Sequence, residues 1–245
     1  MSRDARRALF LAAAAGLGAL LLWGLAGLPD FGRFHGRYGN ELVQVAVPER
    51  HTTDVVTAVV FDYRGFDTMG EELILFAAAI GTALLLRDVR EEAGRALRPP
   101  SSEALGVAAA PIAGGTVLLG VFVSAYGYVT PGGGFQGGVV LAGALALVYL
   151  AAGFRAYRQV SPTRVVDLAE GAGAGGFVAI GIATVAGGSA FLENVLPLGK
   201  AGTLLAAGTI PLLNAATATA VAAAFAVVLT EFLEEVEARD GGAAR

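Results

Sequence analysis

Six apolar stretches, separated by polar ones, set the rhythm of this chain. They run over Ala8–Leu28, about Thr68–Leu86, Ala104–Tyr126, Gly137–Phe154, Asp167–Phe191 and Ile210–Thr230. Each is about 20 residues, the length at which an α-helix crosses a hydrocarbon core about 30 Å thick. The pattern predicts an all-α fold, a polytopic helical bundle of six transmembrane helices. The stretches are rich in Ala, Gly, Leu and Val, and small residues let membrane helices approach closely. A packed bundle is expected rather than a set of isolated anchors.

The polar segments set the orientation. With the N-terminus inside, Arg3, Arg6, Arg7, Arg87, Arg90, Arg95, Arg98, Arg155, Arg158, Arg164, Arg239 and Arg245 all fall on the cytoplasmic side. Arg33, Arg37, Arg50, Arg64 and Lys200 fall outside. The excess of basic residues inside predicts that both termini are cytoplasmic. The opening, "MSRDARRALFLAAAAGLGALLLWGLAGL", has the charged start of a signal peptide. Its apolar part is longer than the usual 7–15 residues, so it reads as a retained span.

Two polar segments carry structure of their own. Gly32–Arg50 is mixed in character and lies outside. The apolar core that follows, Val55–Phe61, is too short to cross a bilayer and suits an element at the outer surface or packed on the bundle. The tail "EFLEEVEARDGGAAR" is acidic and extends the sixth helix.

Composition narrows the chemistry. Of 245 residues, 55% are hydrophobic and only 16% charged, and the net charge is −4. No basic face suggests nucleic acid. There is no cysteine, which removes disulfides, thiolate metal sites and thiol nucleophiles. No metal or cofactor is expected.

Several glycine-rich stretches imitate nucleotide sites. In "TPGGGFQGGVV", Gly133 and Gly138 have P-loop spacing, but valines follow them and the one lysine, Lys200, lies elsewhere. "GAGAGG", Gly171–Gly176, fits a dinucleotide fingerprint, but no strand precedes it, so close helix packing explains it better. Ser189 in "GGSAF" has no legible triad, since His35 and His51 both lie in the first external segment.

The strongest candidate chemistry lies in "FDYRGFDTMGEELILFAAAIGTALLLR". The run from Leu73 to Leu86 is uncharged but covers only about 21 Å as a helix, short of the roughly 30 Å required. The helix must reach back through Glu72, Glu71 and Gly70. A carboxylate at the hydrocarbon edge points to an ion or proton site. Thr68 and Glu71 also fit a capping box, and Asp67 offers an alternative cap. Carrier and cap both remain open for Glu71. Asp62 and Asp67 flank Arg64, so local charge pairing competes with an ion role there. Glu72 points about 100° away from Glu71 around the helix.

Glu170 differs, because the apolar run after it spans a bilayer unaided. It is expected at the cytoplasmic interface. Asn214 lies one turn inside the sixth span, after Pro211. An interhelical hydrogen bond and ion coordination are the two readings for it.

These residues carry a family resemblance. "TPGGGFQGGVVLAGALAL", Thr130–Leu147, resembles the signature of the MnhB domain, found in the B subunit of multisubunit Mrp-type Na+/H+ antiporters. Its loop residues here are Pro131, Gly132, Gly133, Gly134, Phe135, Gly137 and Gly138. "GTIPLLNAATATAVAAAFAVVL" resembles the last helix of the same domain. "VVTAVVFDYRGFDTMGEELILFAAAIGTALLLR" resembles the C-terminal end of the large A subunit, which occurs as a separate MbhE-like subunit in membrane-bound hydrogenases.

The resemblance divides the chain into four parts. Residues 1–51 hold a first span and a polar segment, and residues 52–98 an MbhE-like segment with one span. Residues 99–230 form an MnhB-like domain with four spans, and residues 231–245 the tail. It implies a non-catalytic subunit in the cytoplasmic membrane of a bacterium or archaeon. The implied partners are the large A and D antiporter-like subunits and the small C, E, F and G subunits. The implied activity is exchange of Na+ for protons; a respiratory or hydrogenase-type ion pump and a plain scaffold are the alternatives. Glu71 is the implied ion-pathway residue, with Asp62, Arg64 and Asp67 near its external mouth.

Overall fold

The computed structural model describes residues 3–28, 32, 36–89 and 103–242, and helices make all the regular structure among them. Six helices are long and apolar enough to span a membrane. Arg33, His35, Arg90, Arg95, Arg98 and Arg245, which enter the charge argument, lie outside the described residues.

The first helix, α1 (Arg3–Ala26), starts earlier than its apolar run and exposes leucines and Trp23 along its length. Such a surface suits lipid. The external segment read as polar and mixed forms a second helix, α2 (Arg37–Arg50). Pro48 stands near its end, and His51, with φ 52°, follows it.

The short apolar core after it forms α3 (Val55–Ala58), capped by Asp54, whose Oδ1 accepts the Val56 N–H at 3.0 Å. A π-helical turn, Val59–Tyr63, continues it. Phe61 of that turn is buried and stands 6.3 Å from the Phe177 ring, so the element packs on the bundle.

The remaining spans are α4 (Gly65–Val89), α5 (Glu103–Ala125), α6 (Gly134–Val160), α7 (Thr163–Ala186) and α8 (Ile210–Gly242). α4 begins three residues before Thr68. The capping box is therefore not formed: Thr68 Oγ1 donates instead to the Val60 carbonyl at 2.5 Å. The wider winding of the π-helical turn leaves that carbonyl for a side chain to satisfy. α6 begins at Gly134, inside the glycine-rich stretch, and kinks at Gly153, where φ is 77°. α7 ends before Phe191, which belongs to the link to α8.

α8 is the axis of the bundle. Half of its most apolar window is buried, against 17–28% in α4 to α7. Alanines at 218, 220, 223, 224 and 226 make this possible, because small side chains bring neighbouring backbones close. Gly173 of α7 lies so near Ala220 that an added Cβ would stand 2.7 Å from the Ala220 Cα. At its N-terminal end a cluster of Phe61, Tyr128, Phe177, Leu192, Ile210 and Leu213 closes the core.

Candidate functional site

The loop between α5 and α6 is the junction of the molecule. Gly133 has φ 140°, a conformation open to glycine, and this lets the chain turn straight into α6. The next glycines face α8. A Cβ on Gly134 would meet the Thr217 side chain at 2.8 Å, and one on Gly138 would meet Val221 Cβ at 2.7 Å. Gly137 faces α5, 2.8 Å from the Gly120 carbonyl by the same measure. The signature glycines thus set two helix–helix distances.

Asn214 locks this arrangement. Its Oδ1 accepts the Gly134 N–H at 2.6 Å, and its Nδ2 donates to the Ser124 carbonyl. Both ends of the amide are used on backbone. The interhelical hydrogen bond is the role the structure gives Asn214.

The segment before α3 clamps onto the same loop. The Thr52 and Thr53 hydroxyls donate to the carbonyls of Tyr128 and Val129, and Thr57 Oγ1 donates to the Gly127 carbonyl at 2.6 Å. Tyr128 in turn donates from its hydroxyl to the Leu204 carbonyl at 2.6 Å, and burial pushes its phenol pKa up.

This clamp closes a cavity of about 180 Å³. Its wall includes Thr57, Thr68 and Glu71 from one side and Gly132, Gly133 and Gln136 from the other. The acid-bearing motif and the glycine motif, some sixty residues apart in sequence, meet across one space. Glu71 is exposed in the isolated chain, with its side chain at this cavity.

The other candidates are placed differently. Asp62 pairs with Arg50 at 2.8 Å and accepts from Asn194 Nδ2 at 2.9 Å, with only 9% of its side chain exposed. It ties the π-helical turn to α2 and to the α7–α8 link. Tyr63 beside it donates to Glu49 at 2.8 Å; burial, then Glu49, push its phenol pKa up to about 12. Arg64 donates to Asp67 at 2.5 Å, an exposed local pair. Asp67 thus spends its charge on Arg64.

A second carboxylate site was not read from the sequence. Glu72 is only 2% exposed, and both its carboxylate oxygens are buried without a hydrogen-bond partner. Glu170 is 7% exposed, and its Oε1 is likewise unpartnered. The expected interfacial place for Glu170 is corrected: it points inward against α8. Both line one narrow cleft with Phe76, Ala174, Ala220 and Ala224. A cavity of about 540 Å³ along α5, α6, α7 and α8 is lined mainly by Ala, Val and Leu and by no carboxylate.

The fold, with its six long apolar helices, defines a multi-pass membrane protein. Residues 104–227 match the domain related to the MnhB subunit of Na+/H+ antiporter, and residues 3–103 match MbhE, the E subunit of MBH. The chain belongs to the MnhB-related family. An uncharacterized protein of Methanocaldococcus jannaschii is 30% identical over 187 residues, 66% of this chain and 70% of the relative.

Two solved structures share the fold. A chain of the membrane-bound sulfane sulfur reductase, an archaeal respiratory membrane complex, is 30% identical with a TM-score of 0.71, over 93% of this chain and 98% of that one. A chain of the Mrp complex from a Dietzia species also gives a TM-score of 0.71, at 23% identity. The match covers 95% of this chain and 26% of that longer one.

Proposed function

We propose that the chain is a non-catalytic membrane subunit of a multisubunit monovalent cation (Na+)/proton antiporter. It contributes to assembly and to the ion pathway, with both termini cytoplasmic. Its partners are the large A and D antiporter-like subunits and the small C, E, F and G subunits.

The observation that carries this reading is the shared cavity. Glu71 meets the glycine loop there, so the MbhE-like and MnhB-like parts build one shared space. An exposed carboxylate on a spanning helix, beside such a space, can take up a cation or a proton where a neighbouring subunit covers it. Asp62, Arg64 and Asp67 hold the outer end of the same helix.

The test is Glu71→Gln, which keeps size and removes the titrating charge. Na+/H+ exchange is followed in vesicles holding the whole complex, with assembly checked on a native gel. Normal assembly with transport reduced ten-fold or more is expected; normal transport overturns the ion-pathway role.

A second reading has its own support. The respiratory-complex chain matches this one nearly end to end and at the higher identity. That favours a membrane subunit of a respiratory ion-pumping complex. Affinity purification separates the two: iron–sulfur subunits would co-purify in the respiratory case, and antiporter-type subunits alone in the other.

A further inference from the structure

The cleft between α4, α7 and α8 holds two carboxylates that nothing so far accounts for. Glu72 comes from α4 and Glu170 from α7, and α8 supplies the wall between them. α8 also fixes their relative heights. Glu72 faces the Thr217 hydroxyl, and both side chains are buried. Gly173 abuts Ala220, and α7 and α8 run antiparallel, so Glu170 stands near the level of Ala223. Thr217 and Ala223 are six residues apart, so Glu72 and Glu170 face α8 at levels roughly 9 Å apart.

Among the described residues, no Arg or Lys lines the cleft. The nearest ionisable neighbours, Glu71 on α4 and Asp167 on α7, are also acids. Asp62, Tyr63 and Asp67 lie at the outer ends of the π-helical turn and α4, and Arg64 is held by Asp67. At the opposite end of α8 stand Glu231 and Glu234, the latter 3.7 Å from Arg158. An ionised, unpaired carboxylate among Phe76 and alanines is costly. A proton neutralises it and adds an O–H donor, which the Thr217 oxygen beside Glu72 can accept.

We propose that Glu72 and Glu170 are two proton-binding stations of one path through this chain, separated by a dry constriction at Ala174, Ala220 and Ala224. The site is separate from the cavity at Glu71 and takes protons rather than metal cations. The cleft is about 160 Å³ in all and too narrow for a water molecule, so a hydrated ion has no room. Across a cleft with no room for water no proton relay is in place, so transfer requires the cleft to admit water. The proton that one carboxyl releases is then the proton the other binds, and only O–H bonds break and form. As a path, this rests on the ion-transport reading above; proton binding at the two carboxyls does not.

Infrared difference spectroscopy on the full chain in lipid nanodiscs tests it. Carboxylic-acid C=O bands of buried, protonated groups are expected at neutral pH. Glu72→Gln should remove one band and Glu170→Gln another, with the fold checked by thermal unfolding. Each glutamine mimics the protonated acid, so both variants should fold. If one fails to fold, the other variant and the wild-type spectrum still decide. The absence of such bands in the wild type, or bands that neither substitution moves, overturns the proposal. The measurement needs no cation exchange, so a failed antiport assay leaves it standing.

Discussion

Asn214 and Gly134 are joined across two helices: the Gly134 N–H donates to Asn214 Oδ1 at 2.6 Å. Gly134 is the first residue of α6, where a backbone N–H has no partner within its own helix. One side chain on α8 thus satisfies the start of α6, while its nitrogen holds the end of α5. Asn214→Ala is expected to lower stability by about 1–3 kcal/mol, the penalty of a buried donor left unpaired. Asn214→Asp keeps the acceptor for Gly134 but buries a carboxylate against the Ser124 carbonyl, and should lose at least as much at neutral pH. Thermal unfolding in one detergent checks both.

The glycines of α6 separate into two kinds. Gly138→Ala places a methyl 2.7 Å from Val221 Cβ and 2.9 Å from the Ala218 carbonyl. Such overpacking costs about 1–3 kcal/mol, and melting of the purified chain should report it. Gly143→Ala meets nothing within 4 Å. It should be neutral or gain about 0.5–1 kcal/mol from helix propensity.

Asp62 holds two partners from distant parts of the chain, Arg50 and Asn194. Asn194 in turn accepts the Thr209 N–H at 2.7 Å. Asp62→Ala should therefore loosen the α7–α8 link. A loss of about 1.5–3 kcal/mol of charge-assisted bonding corresponds to roughly ten- to a hundred-fold faster amide exchange at Val195 and Thr209. Hydrogen–deuterium exchange with peptide mapping reads it.

Tyr63 gives a pH prediction. Its phenol pKa is raised to about 12 by burial and by Glu49, against an ordinary value of 10.0. The folded state holds the proton more tightly than the unfolded one. The contribution to stability is full below pH 10 and is lost as pH rises through about 12. Phenolate absorbance, wild type minus Tyr63→Phe, should show the late titration, and Glu49→Gln should bring it earlier.

The spans were legible because their apolar length is set by the bilayer. The carboxylates were only half legible, because hydropathy gives depth but not facing. Glu71 and Glu72 are neighbours in sequence and about 100° apart on the helix. Only the position of α8 decides which one is buried. Glu170 looked interfacial because the run after it is long enough alone; α7 nonetheless starts at Thr163, which carries Glu170 two turns inside. α2 was missed because its apolar face is slight: only Leu42 and Ala46 are buried. Asn214 was legible as a residue needing partners, and its partners came from the end of α5 and the start of α6, eighty to ninety positions away.

The length and central place of α8 have a mechanical consequence. It carries Asn214 at the glycine loop, Thr217 beside Glu72, and Ala220 and Ala224 at the cleft. A slide of one residue along its axis would move all of these by about 1.5 Å together. Its 33 residues extend roughly 50 Å, well past the thickness of the hydrocarbon core. A neighbour gripping the protruding end would hold a lever on both carboxylate-lined spaces at once.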